Sequence, residues 1–269
     1  MALESLQKAV ERARSDGPVE RESSVDRRKA LVGPLTLDDI RYTQTREVEF
    51  DGKAAQARRL VAHVEGSRAA QRFGSLAMQV LLKMRKHRFV SLGVFAPSGG
   101  TGASLVAANL AVAMAREPNQ TVLAVDLNLR EPRLAEYFGV SPEFGLVDHL
   151  VNNVPVPQML VNPGIRRLVL LPGRNQVDGA DELLASRRMA ELMKELKERY
   201  ESRVVLYDVP PLLGRADALP LVERIDCGLL VVQEGRTTKR ELEDAGRTLS
   251  GVPLVGSVVS QGRPSIRPR

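Results

Sequence analysis

Gly99, Gly100, Thr101 and Gly102, followed by Ala103 and Ser104, stand between an apolar run ending at Phe95 and a helical pattern opening at Leu105. A strand, a glycine loop and a helix in that order turn backbone N–H groups and the positive end of a helix dipole toward an anion. The chemistry this run can support is therefore phosphate binding. The common loop G-x-x-x-x-G-K-[ST] carries a lysine after its last glycine, whereas here Gly102 is followed by Ala103 and then by the hydroxyl residue Ser104. Asp126 closes the apolar run 122–125, and Asp208 closes the run 204–207. One aspartate after a strand is ordinarily a turn cap. A hydroxyl and two carboxylates, all at strand ends, form a set that can hold a phosphate-bound Mg²⁺ directly or through waters.

The elements that must position these groups are legible from residue 89 onward. Short β-branched or leucine-rich runs at 90–95, 121–125, 167–171, 204–207, 228–232 and 255–259 alternate with helical patterns near 103–116, 131–137, 145–151, 181–200, 214–224 and 237–249. Continuous apolar strands joined by crossover helices predict a doubly wound, mostly parallel α/β sheet of about seven strands, with its ligands at the carboxyl ends. The helix over 181–200 is the clearest, with Asp181 as its cap and Leu184, Met189, Leu192, Met193 and Leu196 on one face. Ahead of the sheet come an amphipathic pattern at 3–14, a polar stretch at 15–35 and a second helical pattern over 54–87. The organisation expected is an N-terminal helix and flexible linker (1–50), one large domain (51–262) and a disordered tail (263–269).

Composition narrows the classes. A single cysteine, Cys227, excludes an intramolecular disulfide, and its place in an apolar run reads as inert core. No apolar leader is visible, and no apolar run approaches the roughly 18–20 residues that span a bilayer, so the expected location is cytoplasmic. The net charge of +6 belongs to residues 1–90, which hold 18 Lys/Arg against 12 Asp/Glu, while the remainder is balanced. Its sharpest cluster, Lys83 to Arg88, reads either as a solvated helix end or as a contact for lipid headgroups, an acidic partner or nucleic acid. No aromatics interleave with it, which disfavours single-stranded nucleic acid. His63, His87 and His149 show no metal-ligand spacing, and no Ser/His/Asp or Cys/His set can be assembled.

Three further phrases make a resemblance specific: residues 182–192 (ELLASRRMAEL), 207–213 (YDVPPLL) and 234–238 (EGRTT). Together with the loop, residues from about 69 to 261 resemble the bacterial tyrosine kinases, a group within the partition- and division-type P-loop ATPases. The exosortase-associated autokinase branch, encoded with exopolysaccharide machinery, is the most similar, and residues 4–12 are similar to that branch's opening helix. The resemblance implies ATP and Mg²⁺ as cofactors, with Gly99 to Ser104 and Arg130 around the nucleotide and Ser104, Asp126 and Asp208 at the metal. It also implies Asp126 as catalytic base in an active member, and as partner a polysaccharide co-polymerase or chain-length-determinant protein at the inner-membrane face.

The departures fall in that same functional system. Thr101 and Ala103 stand where the family's P-G-E-G-K-[ST] has glutamate and lysine, and Ser98 stands where partition ATPases carry a signature lysine. The second motif, D-x-D-x-R, falls on Asp126, Asn128 and Arg130, so its second carboxylate is an amide. The oligomerisation motif E-x-x-R-x-x-R falls on Gln71, Gly74 and Ala77, which argues against the family's ring, and the base-contacting asparagine falls on Ser260. The tail lacks tyrosine. Tyr137, Tyr200 and Tyr207 lie in packed patterns, leaving Tyr42 as the tyrosine open to phosphate. The reading is a regulatory or scaffold relative with weak or absent turnover. An active atypical autokinase or ATPase and a partition-type ATPase are the alternatives, and no specific nucleic-acid contact is expected.

Overall fold

The computed structural model describes residues 45–198 and 203–260. Among the described residues eight strands make one sheet: β1 (Arg46–Glu47), β2 (Ser91–Phe95), β3 (Thr121–Asp126), β4 (Val161–Asn162), β5 (Leu168–Leu171), β6 (Arg203–Asp208), β7 (Cys227–Gln233) and β8 (Leu254–Ser260). Their order is β1-β4-β5-β3-β6-β2-β7-β8, parallel throughout except for the β4–β5 pair. The doubly wound α/β expectation holds, with eight strands in place of about seven. The two-residue strands β1 and β4 are too short to register as apolar runs, and β1 draws residues ahead of 51 into the sheet edge.

Each central strand is buried on both faces because alternate side chains feed opposite cores. Val122, Ala124, Val204, Leu206, Leu229 and Val231 join one core. Their neighbours Leu123, Val125, Val205, Tyr207, Leu230 and Val232 join the other. The helix Ala103–Ala115 has no polar face, and ten of its residues are buried. Its alanines let it lie close between the sheet and the helix Arg68–His87, which contributes Ala77, Val80, Leu81 and Met84 to the same core.

Two helical patterns divide where the apolar period runs on without a break. The pattern over 54–87 becomes helices Gly52–Ala57 and Arg68–His87, separated by left-handed residues at Arg59 and Gly66 and restarted by Ser67, whose hydroxyl caps Ala70 N–H. The pattern over 181–200 becomes Ala180–Ala185 and Arg187–Glu198, broken at Ser186 with ψ 151°. Asp181 lies inside the first turn rather than capping it, and Gly179 holds the cap position. The residues 3–14 and 15–35, Tyr42, Tyr200 and the tail 263–269 lie outside the described residues. No helix among the described residues is long and apolar enough to cross a membrane.

The basic cluster 83–88 is largely a helix end: Arg85, Lys86 and His87 fill the last turn, where cations complement the dipole, and Arg88 closes it at φ 57°. Lys83 donates to the Val255 carbonyl of β8. Cys227 is buried with its thiol raised by burial first, in keeping with inert core.

Candidate functional site

Sheet order assembles the site. β6 lies between β3 and β2, and in the β3–β6 register Asp126 stands opposite Asp208. The chain leaving β6 runs beside the end of β2, with Leu212 N–H donating to Ala96 O (3.0 Å) and Leu213 N–H to Pro97 O (2.9 Å). Asp126, Asp208 and the glycine loop after β2 therefore share the carboxyl edge of three adjacent strands, the usual ligand position in such sheets.

Gly100 (φ 76°) and Gly102 (φ 85°) adopt the left-handed region that a side chain disfavours. Gly102 is the N-cap of Ala103–Ala115 and supplies no side-chain cap, so the first N–H groups of a thirteen-residue helix remain for an incoming acceptor. Gly99 and Gly100 are exposed, Thr101 is buried, and Ala103 and Ser104 are half-buried at the helix start.

The two carboxylates differ. Asp126 Oδ1 accepts from Asn128 N–H (3.2 Å), and its Oδ2 accepts from Arg133 and Leu134 N–H (2.9 Å each), which starts the helix Leu134–Phe138. Burial raises its pKa to about 7 against the pull of those three amides. Asp208 is fully buried, and neither oxygen has a hydrogen-bond partner. Burial first, then the charge of Asp126, raise it well above the ordinary carboxylate range. The Ser104 hydroxyl faces it and pulls the other way without completing a hydrogen bond. A buried carboxylate with no donor, beside a second carboxylate and a hydroxyl, is chemistry that a hard divalent cation satisfies. Mg²⁺ fits this set of Asp208, Ser104 and Asp126, the last of which also accepts from three backbone amides. Bound there, it would neutralise phosphate charge.

Arg130 is held by three acidic-segment partners. Its Nε donates to Asp217 Oδ2 (2.6 Å), Nη1 to the Asp178 carbonyl (2.5 Å), and Nη2 to Asp181 Oδ1 (3.0 Å) and Asp217 Oδ1 (3.2 Å). The hydrogen bond it donates to the Asp217 carboxylate is the first cause of its raised pKa. The residue reads as a strut joining the Asp126 loop to the segments at 178–181 and 217.

Sequence reasoning missed Asn109 and Arg236, and noted Ser260 only as the place of a replaced asparagine. Ser260 donates to the Thr101 carbonyl (2.5 Å), with the Val232 carbonyl nearby at 3.3 Å, tying the end of β8 to the loop. Asn109 joins the loop's helix to residues 59–62 through three hydrogen bonds and makes a fourth to Leu105 of its own helix. Arg236 lies over Gly100: a Cβ built there would stand 2.8 Å from Nη1 and 3.3 Å from Cζ. The available signal was the phrase 234–238 itself, a glycine, a cation and a threonine cap at the end of a strand. Of the family's oligomerisation positions, Gln71 and Gly74 are exposed, whereas Ala77 is turned into the core at 3% exposure. A concavity of about 740 Å³, lined by Glu49, Phe50, Asp51, Lys53, Gln56 and His63 among others, contains none of the loop residues.

No protein-family model matches the chain. It is 31% identical over 163 residues to the tyrosine-protein kinase YwqD of Bacillus subtilis, covering 60% of this chain and 68% of that protein. It is 30% identical over 206 residues to the succinoglycan biosynthesis transport protein ExoP of Rhizobium meliloti, covering 75% of this chain and 25% of ExoP. The chain spans only about a fifth of other, longer curated relatives from Ralstonia. Among solved structures, the chimerical protein CapA2B2 superposes with a TM-score of 0.70 at 23% identity, over 82% of this chain and 94% of that one, a likeness of fold. At 31% identity across two thirds of YwqD, the chain belongs to the bacterial tyrosine kinase family.

Proposed function

We propose that this protein is a catalytically weakened member of its family: it holds a Mg²⁺-nucleotide in the loop 99–104, turns it over weakly or not at all, and acts as a regulatory or scaffold partner of an exopolysaccharide polymerisation and export complex. The observation that carries the reading is the pairing of an intact phosphate cradle with Ala103 at its lysine position. Gly100 and Gly102 keep the left-handed geometry, and Asp208 keeps a buried carboxylate without a protein donor. The family lysine would add charge-assisted hydrogen bonds and stabilise charge developing during transfer. Each decade of rate corresponds to about 1.36 kcal/mol, so its loss depresses chemistry more than binding.

The partner half of the reading is supported by ExoP, whose name ties it to succinoglycan transport. Its proposed location is the cytoplasm, at the inner-membrane face. The helix Arg68–His87 offers exposed Met78 and Leu82 near its basic end as a surface for such a partner. A segment ahead of the sheet-edge strand Arg46–Glu47, carrying Tyr42 as phosphate acceptor, completes the proposal.

The test is Ala103→Lys with γ-labelled ATP. Nucleotide affinity is expected to rise about tenfold or more, as one or two charge-assisted bonds imply, without transfer to Tyr42 or to a co-polymerase's cytoplasmic segment. Transfer by the unmodified protein at an ordinary kinase rate, about 1–100 s⁻¹, would overturn the weakened-enzyme reading in favour of an active atypical kinase.

A further inference from the structure

We propose that Arg236 supplies the loop with the cation that Ala103 does not, so that bound phosphates are gripped by a guanidinium from the β7 side of the site. The inference rests on the reading of residues 99–104 as a nucleotide site, which the fully buried, donor-less Asp208 beside Ser104 supports independently of the loop.

The sheet makes Arg236 local. β2 and β7 are adjacent and parallel, with Phe95 opposite Leu230, so the glycine loop after β2 and the turn after β7 emerge side by side. That turn is held closely. Arg236 and Thr237 N–H both donate to the Gln233 carbonyl (3.2 and 3.0 Å), Gln233 N–H donates to Thr237 Oγ1 (2.9 Å), and Glu234 N–H donates to the Ser260 carbonyl (3.0 Å). Gly235 provides the left-handed residue, φ 72°, that the reversal requires. A capping box between Thr238 and Glu241 starts the next helix, Lys239–Thr248, at once. The arginine backbone is thus fixed from both sides, and its side chain lies across Gly100.

The guanidinium is also available. Among the described residues no carboxylate forms an ion pair with Arg236. Its electrostatic neighbour Glu241 is itself engaged by the Thr238 amide, the Thr238 hydroxyl and the Ser98 hydroxyl, in that order of effect. Of the arginines near the set, Arg130 has all three guanidinium nitrogens taken, and Arg133 pairs with Glu131 (3.8 Å). An exposed arginine with no duty ordinarily extends into water. This one is turned onto Gly100 of the phosphate cradle, and a planar fork suits two phosphate oxygens at once.

The experiment is calorimetric titration of the full chain with Mg·ATP and Mg·ADP, using the unmodified protein, Arg236→Ala, Arg236→Lys, Ala103→Lys and the Arg236→Ala/Ala103→Lys double variant. Melting without nucleotide should be unchanged in Arg236→Ala, since the side chain is exposed, so lost binding cannot be ascribed to unfolding. Arg236→Ala should weaken binding about 10- to 100-fold, the range of one or two charge-assisted bonds, and Arg236→Lys should recover part of it. Ala103→Lys should gain more in the Arg236→Ala background than in the unmodified one, because both cations serve the same phosphates. Unmodified protein and Arg236→Ala binding within about twofold of each other, well inside one decade of affinity, would overturn the role of Arg236 and leave the nucleotide site standing. Binding only after Ala103→Lys would likewise overturn it. Absence of binding in every variant, including Ala103→Lys, would overturn the nucleotide reading and the Arg236 inference together.

Discussion

Asp208→Asn is expected to melt at a higher temperature than the unmodified protein above pH ~7 in the absence of nucleotide, and to lose its response to Mg·ATP. The carboxylate it replaces is fully buried, lacks any hydrogen-bond donor and faces Asp126 across one strand pairing. An unsatisfied buried group costs about 1–3 kcal/mol, more when charged, and an amide of the same shape removes the charge. In a domain of this size each kcal/mol moves the midpoint by about 2–4 °C, so a rise of roughly 3–10 °C is expected.

The pH dependence has a definite sign. Burial raises both carboxyls above the unfolded value of 3.8, Asp126 to about 7. The stability this protonation provides is complete below the unfolded pKa and is lost as pH rises through the folded one. The difference between Asn and Asp at position 208 should therefore be small near pH ~4 and widen toward neutrality. Paired melts across that range check it. A variant less stable than the unmodified protein at every pH would mean that Asp208 has a structural donor. The same substitution should abolish Mg²⁺-dependent binding, because the amide lacks the charge the cation requires.

Asn109→Ala is expected to be the most damaging single change outside the loop. Asn109 Oδ1 accepts from Val61 and Ala62 N–H (2.7 and 2.9 Å), and Nδ2 donates to the Arg59 and Leu105 carbonyls (3.1 and 2.9 Å). The side chain is 1% exposed and uses its whole hydrogen-bonding capacity. Truncation leaves two N–H groups and the Arg59 carbonyl without partners in or beside the core. At about 1–3 kcal/mol for each group, with incomplete additivity, a loss of about 3–5 kcal/mol follows. Against a usual total stability of about 5–15 kcal/mol, that removes a large fraction. The midpoint should drop by roughly 6–20 °C, with faster amide exchange over 59–64. A drop under about 2 °C, less than one kcal/mol, would show that water replaces the amide without cost.

The sheet and the carboxyl-edge site were legible because they depend on local patterns. Apolar runs mark strands, and Asp126 and Asp208 close two of them. What the sequence concealed depends on pairings across long separations. Arg130 was expected around the nucleotide, and its partner Asp217, 87 residues onward, could not be seen from the motif. Arg236 stands far along the chain from Gly100, and only the β2–β7 adjacency brings the two together. The breaks at Arg59 and Ser186 were hidden because the apolar period continues through them, while the backbone responds to local caps and left-handed residues. Ala77 shows the converse: as a motif position it read as a lost contact, and in the fold it is simply core.

The central claim, a Mg²⁺-nucleotide site retained without efficient transfer, is tested most directly by titrating the full chain with ATP in the presence and absence of Mg²⁺, and assaying phosphate transfer on the same sample. Micromolar binding that requires Mg²⁺ and survives without tyrosine labelling is the result expected. Absence of heat at high protein concentration, or labelling at a kinase rate, would contradict it.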